Sequence, residues 1–597
     1  MRQQSSSFVP EILASAAAEI ANRPRILSVG SWKSMRDGQW SLPFRASLSE
    51  PATASIPEET EWYLVFEAAN SSVTIFPAKS GGITSTFQHQ SFNDSGPADI
   101  PWRAGNPCLH RQAAAFGRVS WNGQPEAIEE KIVWYVERLL LWIDAAAVNE
   151  LVVPGEPFEL PSGPGQASFP VIGFVGTEDD LSFWPLHMGK WGWADLAKIP
   201  RAVETYAVKV FRDRSLNEIF PVTWGSFVSS AESTATALWI ALDRLPVRAP
   251  WELPRTWAAL SKCLADAGVD LPSILEHAGA DRRRADRNSS VLTLLLGFSV
   301  SGILGEAPKR FHWIALSGLE LCGRETRKDG FRPLESARQL IDRARAKSGA
   351  TLNWLRSVNW EPDELRTRSG TGDRLPHRSV LLIGAGSLGS AVAENLVRMG
   401  VADMGILDPD RLDVGNLTRH ALGIDAVGHN KANALASALN MIMPDATVIG
   451  LPSSFPPSEI SVADRIRSFD VIVDCTGADA VLDSMAEFDW GGEKVFVSLA
   501  MTWRAEGLLV YTASETAFPT IDAKESFLEF DIPPTDLEDA RMEGIGCWHP
   551  VFPATAADVR LWSAIGSKAV LRAIESPGRR REYFRQSPLG TVEKVDD

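Results

Sequence analysis

Cysteine is scarce in this sequence. The 597 residues include five cysteines, an odd number, with wide spacings and no Cys-x-x-Cys pair. This pattern excludes a disulfide framework and the common zinc-binding spacings, so each cysteine is either an inert buried thiol or a reactive one. Two of them, Cys108 and Cys547, stand in segments with neighbouring proline or glycine and are the candidates for reactivity. The others are Cys263, Cys322 and Cys475.

Long apolar runs and an excess of positive charge are also missing. No run approaches the roughly 18 apolar residues that cross a bilayer. Glu11 and Glu19 interrupt the apolar N-terminal stretch, which predicts an amphipathic helix and not a signal peptide. We therefore expect a cytoplasmic protein with no membrane partner. The formal net charge of −16 argues against a nucleic-acid partner as well.

The chain is longer than one hydrophobic core can serve, so about two to four domains are expected. Residues 1–150 have the pattern of an α+β domain. After the N-terminal helix, short β-rich runs predict an antiparallel meander; these runs are EWYLVFEA, SSVTIFPAK and GGITSTFQH. An irregular segment containing Cys108 follows, and apolar residues at helical spacing then predict a helix from Ala127 to Ala146.

A Pro- and Gly-rich run, Val152 to Gln166, predicts a boundary before a middle domain at 167–370. The middle domain mixes α and β signals and contains no motif with evident chemistry, so we expect a scaffold. Its charged run DRRRADR, at 281–287, predicts a solvated helix face or loop. The polar segment at 366–374 predicts a linker to the last domain.

The last domain, 375–597, begins with a sharp change of character. A buried-strand pattern, Ser379 to Ile383, leads directly into a glycine loop and an amphipathic helix that ends near Gly400. Further strands are predicted in MGILDPD, ATVIGL and DVIVDCTG. This alternation predicts a doubly wound parallel sheet with its ligand site at the carboxyl ends of the strands. The fold class as a whole is multidomain α/β.

The glycine loop fits the pattern Gly-x-Gly-x-x-Gly, with Gly384, Gly386 and Gly389 between a strand and a helix. Glycines allow a tight turn and a close approach to phosphate, and the helix N-terminus attracts negative charge. Asp408, at the end of the next strand, is placed to bind a ribose. NAD-dependent dehydrogenases share all of these features, so the loop alone leaves the cofactor open.

The segment after the second strand separates these alternatives. It contains Asp410, Asn416, Arg419 and Lys431 in that order. Hydride transfer needs no extra cations on a phosphate chain, whereas a reaction that expels pyrophosphate must neutralise the charge that builds on the leaving group. These residues therefore favour ATP over NAD.

The strings GAGSLGS, LDPD, VGNLTRH and GHNKA resemble the adenylation domain of the ThiF/MoeB and ubiquitin-activating enzyme superfamily, over roughly residues 378–575. In that family the domain binds ATP and joins AMP to the C-terminal carboxylate of a small protein. The resemblance implies that the glycines line the phosphates, that Asp408 holds the ribose and that the later polar residues neutralise the triphosphate. The implied ATP-binding set is Gly384, Gly386, Gly389, Asp408, Asp410, Asn416, Arg419 and Lys431.

The resemblance is incomplete at the metal site. The family usually has a DCTDN-like string after the fourth strand, and its second Asp helps to hold Mg²⁺. Here the string is DCTGADA, with Gly477 at that place. Either Asp474 or Asp479 replaces the missing Mg²⁺ ligand, or the metal is held differently. Cys475 in the same string is expected to be a buried structural thiol.

Cys547, in GIGCWHP, lies where the autophagy-type activating enzymes carry their nucleophile, before a proline and the closing helix. The resemblance implies that its thiolate captures the acyl-adenylate as a thioester. Gly544 and Gly546 would let the segment move towards the adenylate, and His549 either activates the thiol or only packs. The alternative is an unreactive cysteine in a glycine loop.

The N-terminal domain resembles the ubiquitin-conjugating fold, and GNPCLH is similar to the active-site segment of that fold. The resemblance implies that Cys108 receives the thioester. The usual His-Pro-Asn before the cysteine is absent, so the assisting group is left open between His89, Asn93 and Asn106. The alternative for Cys108 is a partly buried loop thiol.

The order of the three domains resembles the bacterial fused conjugation enzymes of CBASS antiphage systems. The resemblance implies an antiviral enzyme that adenylates a protein C-terminus, captures it on Cys547, transfers it to Cys108 and delivers it to an amine-bearing target. The activated partner would be a cGAS-like nucleotidyltransferase or, alternatively, a bacterial ubiquitin-like protein. Because ThiF-like domains usually pair, a homodimer is expected.

Three other functions are weighed against this one. Sulfur-carrier activation would make the N-terminal half unrelated to conjugation, and the missing Cys-x-x-Cys pairs weaken it. A nicotinamide dehydrogenase is opposed by Asn416, Arg419 and Lys431. A pseudoenzyme partner has only Gly477 in its favour.

Overall fold

The structure is a computed structural model that describes residues 9–35, 38–109, 123–165, 169–284, 291–327, 333–367, 378–530, 541–543, 549–587 and 589–595. The chain divides into two compact units, Met1–Pro221 with Ser233–Asn359 and Val222–Glu232 with Trp360–Asp597. No helix in the described ranges combines the length and the apolar character that crossing a membrane requires. Cys547 and residues 368–374 of the predicted linker lie outside the described residues.

The N-terminal part of the first unit packs helices against an antiparallel sheet. Its elements are α1 (Glu11–Ala21), β1 (Ile26–Val29), β2 (Lys33–Ser34), β3 (Gln39–Ser47), β4 (Glu59–Glu67), β5 (Ser72–Pro77) and α2 (Ile128–Ala147). The strand order is β1-β3-β4-β5, and β2 pairs with β3. Leu139 and Ile143 of α2 share one apolar core with Trp62 and Leu64 of β4. Both predicted helices are confirmed.

The predicted meander is confirmed with one exchange of strands. The runs EWYLVFEA and SSVTIFPAK form β4 and β5, but GGITSTFQH forms no strand. Gly82 passes so close to the preceding turn that a Cβ would lie 2.3 Å from the carbonyl oxygen of Ala78. His89 has a φ of +53°, which also turns the chain out of an extended path. The third strand is β3, whose pattern is broken by Pro43.

The rest of the first unit is built on an eight-stranded mixed sheet, as the mixed α and β signals predict. In chain order, the elements between residues 171 and 359 are β6 (Val171–Phe174), α3 (Asp180–Phe183), β7 (Trp191–Lys198), β8 (Thr205–Arg212), β9 (Glu218–Pro221), α4 (Ser226–Ser230), β10 (Ser233–Ala241), α5 (Trp257–Asp266), α6 (Leu271–Arg284), β11 (Val291–Val300), β12 (Arg310–Glu320), α7 (Glu335–Arg345) and β13 (Asn353–Asn359). Helix α4 belongs to the second unit. The strand order is β6-β13-β12-β11-β10-β7-β8-β9, and β6 also pairs with β8. These pairings close seven of the strands into a ring.

The prediction of a solvated face for the charged run DRRRADR is wrong for Arg282 and Arg283, which are buried, whereas Arg284 is exposed as predicted. Arg283 on α6 is 5% exposed, and its guanidinium donates to Asp342 at 2.7 Å and to the carbonyl of Cys322 at 2.8 Å. Asp342 on α7 is 1% exposed. Gly279 makes room for this pair, because a Cβ there would lie 2.0 Å from a carboxylate oxygen of Asp342. The run joins two helices through a buried ion pair.

The second unit is the predicted doubly wound sheet with an antiparallel extension. Its remaining elements are α8 (Pro362–Thr367), β14 (Val380–Ile383), α9 (Ser387–Met399), β15 (Asp403–Leu407), α10 (Lys431–Asn440), β16 (Thr447–Leu451), α11 (Ile460–Arg467), β17 (Val471–Asp474), α12 (Asp479–Glu487), β18 (Lys494–Met501), β19 (Gly507–Glu515), α13 (Thr520–Phe530), β20 (Arg541–Glu543), β21 (His549–Val551), α14 (Ala556–Glu575), β22 (Arg580–Gln586) and β23 (Val592–Val595). Strands β16-β15-β14-β17-β18 run parallel in that order, and β19, β22 and β23 continue the sheet antiparallel.

Both faces of this sheet are covered, which places the ligand-binding edge at the strand ends. Val380 and Leu382 of β14 belong to one apolar core, and Leu381 and Ile383 belong to the core on the other face. Side chains alternate in this way along any strand. A parallel sheet buried on both faces presents its ligand site at the carboxyl ends of the strands, where the glycine loop follows β14.

Candidate nucleotide site and candidate thiol sites

The three glycines of the loop differ in how much space a side chain would find at each position. Gly384 has a φ of +90°, and a Cβ there would lie 2.8 Å from the Thr476 side chain. A Cβ on Gly389 would lie 2.0 Å from the carbonyl oxygen of Gly384, so α9 packs directly on the turn. Gly386 is the N-cap of α9, and a Cβ there would meet nothing within 4 Å. Two glycines therefore shape the loop, and the third leaves open space at a helix N-terminus, where a phosphate fits.

Asp408 ties the glycine loop to the end of β15. The residue is 6% exposed. One carboxylate oxygen accepts the N–H of Ala385 at 2.7 Å, and the other accepts the N–H of Asp410 at 2.8 Å. Because a carboxylate oxygen can accept more than one hydrogen bond, these contacts leave it able to accept another from a ribose hydroxyl. The ribose-binding role stays a prediction.

His420 is a site residue that the sequence analysis missed. Its Nε2 lies 2.8 Å from the carbonyl oxygen of Ala385, and its Nδ1 accepts the N–H of Leu422 at 3.1 Å. This pattern puts the proton on Nε2 and makes the imidazole neutral. Burial lowers the pKa of His420, which favours the same neutral form. The signal available in the sequence was only its place directly after Arg419.

The predicted cations reach the same part of the unit. Lys431 begins α10, and its Nζ lies 3.0 Å from the carboxylate of Asp410. The Arg419 guanidinium donates to the carbonyl of Phe552. Asn416 accepts the N–H of Asp413 at 3.0 Å and closes a capping box on a short 3₁₀ helix. A loop with open space, a helix N-terminus and two nearby cations is a suitable environment for a triphosphate.

The candidate Mg²⁺ ligands fit a metal unequally. Asp474 is 1% exposed, and both of its oxygens accept hydrogen bonds, one from Thr476 at 2.7 Å and the other from Ser498 at 2.7 Å. The Asp479 side chain is 80% exposed. Gly477 has a φ of +61°, which favours glycine where the family has Asp. Across the described ranges no three His, Cys, Asp or Glu residues gather as a metal site, so we derive no step through Mg²⁺.

Cys475 is buried beside the glycine loop, as predicted for a structural thiol. Burial raises its pKa well above the ordinary value, and the neighbouring Asp474 carboxyl raises it further. A thiol held in its protonated form is a poor nucleophile. The buried Cys322 behaves in the same way, with a pKa raised to about 11 by burial first and Asp342 second.

Cys108 has the opposite environment, because it is exposed to solvent. Its N–H donates to the carbonyl of His89 at 2.6 Å. Leu109, the next residue, is 3% exposed and belongs to the core of the N-terminal domain. A buried neighbour and a backbone hydrogen bond thus fix an exposed thiol on the surface of the domain.

The three residues considered as helpers of Cys108 differ in what they already bind. Asn93 is fully buried; its amide donates to the carbonyls of Ile83 and Ser85, and its oxygen accepts from Arg103. His89 contributes its carbonyl oxygen to the Cys108 N–H. Within the described part of the chain, no hydrogen bond involves the Asn106 side chain. Asn93 therefore serves the fold, and the role of Asn106 stays a prediction.

Comparison with known proteins gives the family. The model of the Cap2 central linker domain matches residues 149–360, and the ThiF family model matches residues 365–482. The "ATP-dependent ubiquitin transferase-like protein Cap2" of Enterobacter hormaechei is 46% identical over 588 residues, 98% of either chain. The chain belongs to the Cap2 family. It is an enzyme of the ThiF-type, ubiquitin-transferase-like kind, which confirms the resemblance to fused ThiF-type bacterial enzymes.

Other similarities are partial. The mouse "Adenylyltransferase and sulfurtransferase MOCS3" is 33% identical over 103 residues, which is 17% of this chain and 22% of the mouse protein. A crystal structure of Escherichia coli MccB with ATP is 14% identical, covers 40% of this chain and 71% of that one, and has a TM-score of 0.29. The ThiF match assigns the glycine loop to the adenylating enzymes and not to the nicotinamide dehydrogenases.

Proposed function

We propose that this enzyme uses ATP to adenylate the C-terminal carboxylate of a protein, captures the acyl group on Cys547, transfers it to Cys108 and joins it to an amine. The observation that carries the proposal is the alignment with Cap2, described as ATP-dependent and ubiquitin transferase-like, over 98% of this chain. An alignment of that extent spans the glycine loop and both candidate thiol segments. The domains would be 1–150, 167–370 and 375–597, with a ubiquitin-conjugating-like domain first.

In the first step a carboxylate oxygen of the protein substrate attacks the α-phosphorus of ATP. A P–O bond forms to the substrate, and the P–O bond to pyrophosphate breaks. Negative charge grows on the leaving pyrophosphate, and the N–H groups at the start of α9 with Lys431 and Arg419 would neutralise it. Asp408 would hold the ribose in place.

Two thiols then carry the acyl group in turn. The thiolate of Cys547 attacks the acyl carbon, which forms a C–S bond and breaks the C–O bond to AMP. The thiolate of Cys108 attacks the same carbon and releases Cys547. The amine of the target attacks the acyl carbon last, forms a C–N bond, loses a proton to solvent and releases Cys108 as its thiolate when the C–S bond breaks. An exposed Cys108 fits this last step, because a protein-borne amine must reach it.

The partners follow from the resemblance to the fused enzymes of CBASS systems. The activated protein would be a cGAS-like nucleotidyltransferase, in antiphage defence in the cytoplasm, and the enzyme would act as a homodimer. A bacterial ubiquitin-like modifier is the alternative substrate. Sulfur-carrier activation accounts for less of the molecule, since the similarity to MOCS3 is confined to 17% of the chain.

The test is a trapping experiment on two variants. Cys547→Ser and Cys108→Ser are each expressed with the genomic neighbours, and peptide mass spectrometry examines the substituted serine. Serine converts a short-lived thioester into a more durable oxyester, so the trapped polypeptide identifies itself by its C-terminal residues. An adduct on both serines supports the relay. An adduct on Ser at 547 alone refutes the role of Cys108, and adducts on neither refute the thioester route.

A further inference from the structure

The segment that carries Cys108, residues 104–108, is joined by backbone hydrogen bonds to a second segment, residues 89–94. The N–H of Cys108 donates to His89 at 2.6 Å, the N–H of Ser91 donates to Asn106 at 3.1 Å, and the N–H of Ala104 donates to Asp94 at 3.0 Å. Residues 104–108 therefore pair with residues 89–94. We call residues 86–94 the supporting segment, because its position decides where the Cys108 thiol lies.

Glu159 holds the supporting segment at its turn. The residue lies within 149–360, the range that matches the Cap2 linker model. Its carboxylate accepts the N–H of His89 at 2.9 Å and lies 3.4 Å from the His89 Nδ1. His89 has a left-handed backbone with a φ of +53°, a conformation that costs a non-glycine residue about 1 kcal/mol or more. The same residue accepts the N–H of Cys108, so Glu159 is one residue removed from the thiol.

A charged pair from the same linker, buried Glu252 with partly exposed Arg255, holds the start and the end of the supporting segment. Glu252 is 4% exposed; it accepts the hydroxyl of Thr86 at 3.2 Å and the guanidinium of Arg255 at 2.9 Å. Arg255 donates to the carbonyl of Asn93 at 3.3 Å, and its guanidinium lies 4.6 Å from the centre of the Phe92 ring. Charge-assisted hydrogen bonds of this kind are stronger than neutral ones and hold a geometry. Residues of the linker therefore contact the supporting segment at three places, which are Thr86, His89 and Asn93.

We infer that Glu159 and the Glu252–Arg255 pair are positioning residues for Cys108, so that the linker domain forms part of the transfer site. They act through the supporting segment and touch neither thiol nor substrate. The inference rests on the proposed function for its catalytic meaning, since it assigns the transfer step to Cys108. The linker therefore does more than separate the other domains, because its carboxylates supply part of the support of the Cys108 segment.

The first test measures backbone order and needs no substrate. Hydrogen exchange by mass spectrometry compares the full-length protein with the variants Glu159→Ala and Glu159→Gln. The control variant is Glu156→Ala, because the Glu156 carboxylate accepts the N–H of Val153 and not that of His89. Glu159→Ala is expected to speed exchange in peptides covering 86–94 and 104–109 by about tenfold or more, because a charged hydrogen bond is lost. Glu159→Gln keeps an acceptor oxygen and restores most of the protection.

Glu252→Gln, which removes the charge that faces Arg255, is expected to speed exchange in the same peptides. Unchanged exchange in both Glu159→Ala and Glu252→Gln would overturn the inference. Equal acceleration in the peptides of β3 and β4 would overturn it too, since that result describes general loosening of the domain.

The second test follows transfer in a single turnover. Glu159→Ala is expected to leave thioester formation on Cys547 unchanged and to slow its transfer to Cys108 by about tenfold at saturating substrate, with rescue by Glu159→Gln. Normal transfer despite faster exchange would overturn the positioning role. Failure of Cys108→Ser to trap any adduct refutes the transfer function itself, and the exchange data distinguish that failure from a failure of the support.

Discussion

The imidazole Nε2 of His420 lies 2.8 Å from the carbonyl oxygen of Ala385, inside the glycine loop, while its Nδ1 accepts the N–H of Leu422. The ring therefore joins the loop after β14 to the segment that carries Arg419. Phosphate-binding loops need a fixed backbone, because the N–H groups that hold the phosphates belong to it. His420 supplies that fixation from outside the glycine motif.

Replacement of His420 by Ala should weaken ATP binding. The variant leaves the Ala385 carbonyl and the Leu422 N–H without their partner, and each unpaired buried group costs about 1–3 kcal/mol. ATP-dependent exchange of radiolabelled pyrophosphate, driven by the protein substrate, should therefore fall by about tenfold or more at pH 7.5. Wild-type exchange in the variant would show that the loop does not depend on the imidazole.

The same residue predicts a pH effect of defined sign. The pKa of His420 is lowered by burial, so the unfolded chain takes up a proton near its ordinary pKa of about 6.5 before the folded protein does. Its contribution to stability is complete above that pH and is lost as the pH falls towards the lowered folded value. Thermal unfolding of the second unit should show a smaller acid loss in His420→Ala than in the wild type. An identical loss would contradict the assignment.

Gly389 and Gly386 form a matched pair for the loop. Gly389→Ala places a Cβ 2.0 Å from the Gly384 carbonyl, so the loop or α9 must shift, at about 1–3 kcal/mol. Gly386→Ala adds a methyl group to open space and leaves the unliganded fold unchanged. Calorimetry should show lower thermal stability for Gly389→Ala only, and ATP binding should be weaker for both. Normal ATP binding by Gly386→Ala would mean that phosphate lies elsewhere.

Lys431 is expected to act on the leaving pyrophosphate. Lys431→Met removes the cation and keeps the length of the side chain, and loss of one group that stabilises developing charge typically slows the chemical step by about 10²-fold or more. The control is Lys594→Met, because Lys594 lies on the edge strand β23 of the same unit and forms an ion pair with Glu582 at 3.4 Å. Pyrophosphate release should fall in the first variant only. Equal rates of pyrophosphate release in the two variants would mean that Lys431 pairs with Asp410 but does not act on the leaving group.

Local patterns predicted the parts of the fold that depend on neighbours in sequence. The burial of both Leu381 and Leu382 was predictable from a continuous apolar strand covered on both faces, and the helix after Gly386 from its apolar spacing. The phosphate loop was predictable for the same reason. Its shape needs only glycine between a strand and a helix.

Features that depend on distant partners were not predictable. Arg283 looked like a solvated charge, and its buried partner Asp342 lies 59 residues further along the chain. His420 bonds to backbone atoms, which leave no mark in the sequence. Glu159 stood in a run that predicted only a boundary, yet its carboxylate contacts His89, 70 residues earlier. Hydrogen bonds between segments that are distant in sequence depend on how the chain packs, so local sequence patterns do not predict them.

Gly477→Asp restores the second Asp of the DCTDN-like string, which the ThiF/MoeB and ubiquitin-activating enzymes usually have and this chain lacks. The backbone at Gly477 has a φ of +61°, and a Cβ there meets nothing within 4 Å, so the new side chain has room but is strained by about 1 kcal/mol. Gly477→Ala carries the same strain without a carboxylate. If Mg²⁺ binds at this loop, the Mg²⁺ concentration for half-maximal adenylation should fall in Gly477→Asp and not in Gly477→Ala. An equal requirement in both would place the metal elsewhere.

Asp180 predicts a stabilising substitution in the linker domain. The residue is 3% exposed, one oxygen accepts the Thr177 hydroxyl at 2.9 Å, and burial raises its pKa to about 6. The folded protein therefore keeps a proton that the unfolded chain releases near pH 4, so stability falls as the pH rises from there to about 6. Asp180→Asn keeps the Thr177 hydrogen bond and removes the ionisation.

The Asp180→Asn variant should gain about 1–3 kcal/mol at pH 7.5 and less at pH 5, because most of the ionisation cost arises between those values. Differential scanning calorimetry at the two pH values measures the shift of the linker transition. Asp179→Asn is the matched control, since the Asp179 side chain is exposed and its charge is only a minor cause of the raised Asp180 pKa, so its gain should be much smaller. A gain that is the same at both pH values, or one that the control shares, would contradict a buried carboxyl at position 180 and assign the effect to surface charge.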